Sequence, residues 1–108
     1  MLKRSQSKPE FGKLLADYRG DLRWAQTDLA EQMTLRGYNI SGASINAYER
    51  GRRRPGGDFI YHFVRIYRVV MPDISVADAN LIANGLMRAL TIAYWDRLRE
   101  EYRTARRK

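Results

Sequence analysis

The chain has 108 residues and carries 20 Lys and Arg against 12 Asp and Glu, which gives a formal net charge of +8. This length fits one compact domain and excludes a large two-domain enzyme. Because there is no cysteine and His62 is the one histidine, we expect no disulfide, metal site, cofactor or catalytic triad. No stretch approaches the roughly 20 apolar residues of a membrane span, so a cytoplasmic protein without membrane contact is expected. The basic excess indicates a polyanionic partner, most commonly a nucleic acid.

The beginning of the chain predicts a basic arm followed by a first helix. Residues 1–8 are polar and basic. Two interpretations of this arm stay open, a contact with nucleic acid or a solvated tail. Pro9 suits a first helical turn, and the apolar residues after it recur at helical spacing, which predicts helix 1 over about 9–19.

Two shorter helices are predicted next. Helix 2 extends from Gln26 to about residue 35 or 36, where Gly37 offers a left-handed C-cap. Ser41 is predicted to cap a short helix 3, which Gly51 ends.

Helix 4 is predicted to follow a loop that contains Pro55 and several glycines. Asp58 is expected to cap it, and its broad apolar stripe extends from Phe59 to Val70. His62 lies off that stripe and is interpreted as a surface histidine.

A long fifth helix is predicted to begin after Ser75, with Asp78 three residues on as its capping partner. The apolar pattern keeps its phase across Gly85 as far as about residue 103. We therefore expect one helix that tolerates this glycine at a cost of about 1 kcal/mol. Since no segment alternates apolar and polar residues long enough for a strand, the fold class is predicted to be all-α with five helices.

A short helix 3 that follows helix 2 closely and leads into an arginine-rich loop is typical of a helix-turn-helix unit. Residues 24–31 (WAQTDLAE) resemble the helix 2 entry of the Cro/C1-type (Xre) helix-turn-helix family. Residues 40–51 (ISGASINAYERG) are similar to the recognition helix of that family, and residues 52–55 (RRRP) to the loop after it. The resemblance covers about residues 9–71.

This resemblance implies a lambda-repressor-like helix-turn-helix domain over residues 9–71, preceded by the arm over 1–8. Residues 72–108 would then form an extended C-terminal helix that completes the bundle and mediates dimerisation.

The chain departs from the family pattern in two places. Ala25 stands where the family has a Ser or Thr cap, a loss that costs about 1 kcal/mol unless Thr27 replaces it. Residues 34–39 occupy a place where the family usually has a single glycine. We expect an extra turn on helix 2 and a longer connection, which changes the angle of helix 3.

The matching positions predict contacts with double-stranded DNA. Gln26, at a helix N-terminus, is expected to donate its side-chain amide to a phosphate oxygen, as the matching glutamine does in the family. Ser44 and Asn46 are expected to lead a modest base discrimination, since an asparagine can form two hydrogen bonds with adenine. The predicted DNA-binding set is Gln26, Ser41, Gly42, Ala43, Ser44, Asn46, Ala47, Arg50, Arg52, Arg53 and Arg54.

The four arginines of this set are expected to contact phosphates through at least two members, although a charge run is more usually a solvated loop. Glu49 is interpreted as structural, because a carboxylate between these arginines would repel DNA. Its counterpart in the family braces the loop that follows.

The C-terminal helix carries more apolar residues than a small bundle needs, which predicts a two-fold dimer contact. The alternative is that the same residues fold back on helices 1 and 4. The predicted dimer interface consists of Leu86, Leu90, Tyr94, Trp95 and Leu98.

These observations favour a sequence-specific regulator of transcription, a homodimeric repressor that binds a palindromic operator. The alternative is an antitoxin or adaptor that docks a protein partner through its C-terminal helix and binds DNA secondarily. An RNA-binding domain is weaker, since the aromatic residues fall on buried stripes. An enzyme is the least supported class, because Glu100 and Glu101 are neighbours on a helix surface.

Overall fold

The structure is a computed structural model that describes residues 10–106, so the predicted arm over 1–8 lies outside the described residues. Within 10–106 the chain forms helices and no strand, as predicted. The helices are α1 (Phe11–Leu22), α2 (Gln26–Leu35), α3 (Gly42–Glu49), α4 (Gly57–Val70) and α5 (Val76–Arg106). No helix in this range combines the length and apolar character that crossing a membrane requires.

Helix α1 extends three residues beyond its predicted end. Leu22, in its last turn, is buried in the core, which explains why the helix continues past Gly20. The chain then turns at Arg23, which adopts a left-handed conformation with φ of 61° and donates its backbone N–H to the Gly20 carbonyl. This turn directs the chain into α2.

Helix α2 has the predicted bounds and the predicted C-terminal glycine. Gly37 has φ of 98°, a left-handed value that side chains other than glycine rarely adopt. At the N-terminus no side chain accepts a first-turn N–H, so Thr27 does not replace the missing cap; Asp28 Oδ2 instead accepts the Ala25 backbone N–H at 2.9 Å. The six residues 36–41 then connect α2 to α3.

Of the helices α3, α4 and α5, two have the N-terminal cap that the sequence predicts. Ser41 caps α3 by accepting the Ser44 backbone N–H at 3.1 Å, as predicted. Ser75 and Asp78 form the predicted reciprocal cap of α5, which continues through Gly85 as one helix. The prediction that Asp58 caps α4 is wrong, because the N-cap is Gly56, two residues earlier, and Asp58 lies in the first turn of α4.

Helix α4 supplies more buried core residues than any other helix. Helix α1 packs against α3 and α5, while α4 packs against α2 and α5. The largest fully buried side chains are Leu15, Leu29, Met33, Ile45, Phe59, Ile60, Phe63, Ile66 and Leu86. His62 is half-buried and packs against the rings of Tyr38 and Tyr61, so its interpretation as a surface histidine is wrong. The core leaves one side of α3 facing outward.

Candidate nucleic-acid interface

Two close backbone approaches position α3. Gly42, in its first turn, lies against α2, where a Cβ would stand 3.0 Å from Thr27 Cγ2. Gly12 of α1 lies against the last turn of α3, where a Cβ would stand 2.7 Å from the Glu49 carbonyl carbon. Gly42 therefore serves the packing of α3 on α2, and its place at the DNA-contacting tip stays a prediction.

The outward face of α3 carries the other predicted contact residues. Ile45 is fully buried and defines the inward side. Ala43 and Arg50 are exposed, whereas Ser44, Asn46 and Ala47 are half-buried. Ser41 is exposed at the cap. The outward face is defined as Ala43, Ser44, Asn46, Ala47 and Arg50.

A chain of polar side chains joins three helices behind this face. Arg19 of α1 donates to both carboxylate oxygens of Glu49, with Nε to Oε2 at 2.6 Å and Nη2 to Oε1 at 2.9 Å. The same carboxylate accepts Gln26 Nε2 at 2.9 Å. Gln26 Nε2 also donates to Asn46 Oδ1 at 3.2 Å, and Arg50 Nε donates to the same oxygen at 3.2 Å. We call these five residues the polar relay.

The electrostatics of the relay centre on the Arg19 and Glu49 pair. The Glu49 side chain is 7% exposed and that of Arg19 is 20% exposed. The hydrogen bond to Glu49 raises the pKa of Arg19 above its ordinary value, against an opposing effect of burial. Because the Glu49 carboxylate is shielded from water, loss of Arg19 would leave a buried charge without its cationic partner, which is more costly than breaking an exposed pair.

The relay bears on the expectations for two of its members. Gln26 uses Nε2 for both of its donated hydrogen bonds, to Glu49 and Asn46, and its donation to a phosphate oxygen stays a prediction. Glu49 is structural, as expected, but it braces Arg19 and Gln26 rather than the loop that follows it. Arg19 was missed at the sequence level, because nothing in its spacing reveals a partner 30 residues away.

The arginine loop folds back beside the outward face. The backbone N–H groups of Arg52 and Arg53 both donate to the Ala47 carbonyl, at 2.8 Å and 3.3 Å. Arg53 Nη2 also donates to Ser44 Oγ at 2.6 Å. The Arg54 guanidinium stacks 4.9 Å from the centre of the Tyr94 ring. All four arginines from Arg50 to Arg54 are exposed.

The structure divides the predicted dimer residues into two groups. Leu86 is fully buried, so the prediction that it forms a dimer contact is wrong. Leu90 is half-buried and packs against the core, and its part in a dimer contact stays a prediction. Leu86 follows the alternative, because α5 folds back on α1 and α4. Trp95 is 54% exposed and Leu98 is half-buried. Tyr94 is 44% exposed beneath Arg54.

Tyr102 lies on the same exposed part of α5 as Trp95 and Leu98, although it was not among the predicted dimer residues. It is 64% exposed and follows Leu98 by one helical turn. Trp95, Leu98 and Tyr102 are spaced by three and four residues, which places them on one side of α5. We call these three residues the distal stripe.

No group of three or more His, Asp or Glu side chains within residues 10–106 is arranged to hold a metal ion.

No family model matches the chain, and comparisons with curated proteins and with solved structures gave no significant match. The resemblance to the Cro/C1 family therefore rests on the three sequence segments that carry it.

Proposed function

We propose that the protein is a sequence-specific, double-stranded DNA-binding regulator of transcription of the Cro/C1 type. In this proposal α2 and α3 form a helix-turn-helix of a lambda-repressor-like domain, and α3 enters the major groove. The observation that carries the proposal is the placement of exposed Arg50, Arg52, Arg53 and Arg54 directly beside the outward face of α3. Cations at that position meet phosphates when a helix lies in the groove.

The chemistry of the outward face supports base contact. Ala43 and Ala47 are small, so the helix backbone approaches a base pair closely, and a methyl group suits the methyl of thymine. Ser44 and Asn46 supply the hydrogen-bonding groups between them. Glu49, the one acidic residue of α3, is held inside by Arg19 and presents no exposed carboxylate to a phosphate.

We further propose that the protein binds as a homodimer through the distal stripe. A helix as short as α3 makes few contacts, and two half-sites about 34–36 Å apart multiply the discrimination. The exposed Trp95 and Tyr102 supply aromatic surface for such a contact. A palindromic operator follows from this symmetry, and we propose that occupying it represses transcription.

Selection of bound duplexes from a random DNA library tests the proposal. We expect an enriched palindrome with half-sites separated by about one helical turn. A library from which no motif is recovered, with binding equal to that of random duplex, contradicts sequence-specific DNA recognition. A motif without two-fold symmetry contradicts the homodimer alone.

A second candidate is a protein-interaction module of the antitoxin or adaptor type, in which the distal stripe docks a different protein. The exposure of Trp95 and Tyr102 favours it as much as it favours a homodimer. The molar mass of the purified chain discriminates between them. A monomer that retains weak, non-specific DNA binding supports the module, and a dimer supports the repressor.

A further inference from the structure

The polar relay determines which atoms its amide side chains turn outward. A carboxylate only accepts hydrogen bonds, so the Gln26 atom that lies 2.9 Å from Glu49 must be the amide nitrogen. That nitrogen in turn requires an acceptor, so the Asn46 atom 3.2 Å from it must be the carbonyl oxygen. The charge of Glu49 therefore orients Asn46 through Gln26.

The other end of the relay gives the same orientation independently. Arg50 carries only donors, and its Nε lies 3.2 Å from Asn46 Oδ1. The Glu49 carboxylate at one end and the Arg50 guanidinium at the other therefore require the same placement of the Asn46 oxygen. An amide turned by 180° would direct a donor at two donors.

The consequence is that Asn46 offers only hydrogen-bond donors to a ligand. Oδ1 accepts two hydrogen bonds, which occupy both of its lone pairs. Nδ2 donates to no residue of the described part of the chain. Since every buried side-chain nitrogen or oxygen in that part has a hydrogen-bond partner, Nδ2 reaches solvent.

Ser44 has the same bias. Its Oγ accepts Arg53 Nη2 at 2.6 Å and the Ser41 hydroxyl at 3.2 Å. Both lone pairs of Oγ are then used, and its own proton remains to be donated. Ser44 and Asn46, the two polar residues proposed to contact bases, therefore both present donors.

We infer that α3 recognises guanine at the base opposite Asn46, with Gln26 and Glu49 as positioning residues that set this preference. Guanine presents two acceptors, N7 and O6, in the major groove, whereas thymine presents only one, O4, so a two-donor amide fits guanine best. The bidentate contact with adenine requires the asparagine oxygen to accept the N6 amino group, and Oδ1 is already occupied. Cytosine presents an amino donor and is disfavoured for the same reason. This inference rests on the proposed function and replaces the adenine contact expected from the sequence.

The test measures base preference with the full chain. Duplexes that carry the selected motif are prepared with each of the four bases at every half-site position, and affinities are measured by fluorescence anisotropy. Asn46→Ala identifies the position that Asn46 contacts, since discrimination there is lost. We expect the natural protein to prefer guanine over adenine at that position by about tenfold, the scale of one good base contact. Replacing this guanine by 7-deazaguanine, which lacks the N7 acceptor, should weaken binding by several fold.

The positioning role is tested by variants that touch no base. Gln26→Ala removes one of the two hydrogen bonds to Asn46 Oδ1 and leaves the Arg19 and Glu49 pair in place, so this oxygen regains a lone pair that can accept the adenine amino group. Glu49→Gln removes the charge that sets the direction of the relay. We expect each to reduce the preference for guanine over adenine to within about twofold, while Gln32→Ala, a glutamine change elsewhere on α2, leaves it unchanged. Thermal melting followed by circular dichroism checks that each variant is folded, and Gln26→Ala carries the test if Glu49→Gln is not.

The outcomes separate this inference from the proposed function. A motif that depends on Asn46 but carries adenine, thymine or cytosine at its position overturns the inference and leaves the regulator intact. The same holds for a guanine preference that Gln26→Ala does not change, or for a motif that Asn46→Ala does not affect. Failure to recover any motif overturns both.

Discussion

The α-carbon of Gly12 lies directly against the backbone of Glu49. A Cβ at Gly12 would stand 2.7 Å from the Glu49 carbonyl carbon and 2.9 Å from the Tyr48 carbonyl oxygen. Both of these atoms belong to the backbone of α3, so neither can move aside without shifting the helix. This contact sets the separation of α1 and α3 at the point where the Arg19 and Glu49 pair also joins them.

Gly12→Ala should therefore destabilise the protein, whereas Gly20→Ala in the same helix should stabilise it. A methyl at residue 12 has to displace α3, and such overpacking costs about 1–3 kcal/mol or more. A methyl at residue 20 meets nothing within 4 Å, and alanine is favoured over glycine inside a helix by about 1 kcal/mol. Urea denaturation at equilibrium measures both changes in the free energy of unfolding. Equal effects of the two substitutions would show that the close approach has no energetic consequence.

The ion pair between Arg19 and Glu49 should contribute far more than an exposed pair. Arg19→Met leaves the Glu49 carboxylate with 7% of its side chain exposed and no guanidinium partner, a loss of about 3 kcal/mol. Arg97→Met breaks the exposed pair with Glu101, whose nearest atoms are 3.8 Å apart, and should change stability by less than about 1 kcal/mol. Denaturant midpoints of the two variants check this difference. Similar midpoints would mean that the relay does not hold α1 against α3.

Tyr67 should make the protein sensitive to alkaline pH. Burial, together with the hydrogen bond from its hydroxyl to Asp21 Oδ2 at 2.9 Å, raises the pKa of Tyr67 from 10.0 to about 12. Since the folded state favours the protonated hydroxyl, this contribution is fully present below pH 10 and is lost as the pH rises to 12. Two pH units of pKa difference correspond to about 2 to 3 kcal/mol. Tyr67→Phe should lose that part of the pH dependence in denaturation curves at pH 9 to 12. Tyr61→Phe, which removes an exposed hydroxyl from the same helix, should keep it.

The sequence predicts helix ends well where the capping contact joins residues three or four positions apart in the chain. Ser41, Ser75 and Gly37 all act as expected, because a cap is a local interaction between a side chain or a glycine and the neighbouring backbone. Asp58 failed as a cap because the buried Pro55 and the two glycines after it allow α4 to begin two residues earlier than predicted. Local chemistry thus predicts that a helix forms better than it predicts the first residue of the helix, when several neighbouring residues could start it.

The site was predicted less completely because its key contacts join distant residues. The motif identified Gln26 and Asn46, but which way their amides point depends on Arg19 and Glu49, and no spacing rule links positions 19 and 49. The apolar spacing of the last helix predicted a stripe, yet spacing alone could not separate Leu86, which faces the core, from Trp95, which faces solvent. That division depends on the point at which α5 extends beyond its contacts with α1 and α4, and this point is set by tertiary packing.

Replacement of Arg52, Arg53 and Arg54 by alanine should weaken binding to every duplex and flatten its salt dependence. Each phosphate contact contributes about −0.9 to the slope of log affinity against log salt concentration. The loss of two or three contacts should therefore reduce the magnitude of this slope by about 2 to 3. The control variant replaces Arg97, Arg99 and Arg103, which are equally exposed on α5. Titrations of random duplex at several salt concentrations measure the slopes. Unchanged binding at low salt would refute the assignment of these arginines to phosphates.

The distal stripe and the buried leucine should respond differently to substitution. Trp95→Ala combined with Leu98→Ala removes apolar surface that α5 exposes, so it should convert a dimer to a monomer with little change in monomer stability. Leu86→Ala opens a cavity in the core and should cost about 2–5 kcal/mol of unfolding free energy without removing the stripe. Sedimentation velocity gives the oligomeric state of each variant, and denaturation gives the stability. If the double substitution leaves the dimer intact while Leu86→Ala dissociates the still-folded chain, the interface lies nearer the core-facing part of α5 than the stripe indicates.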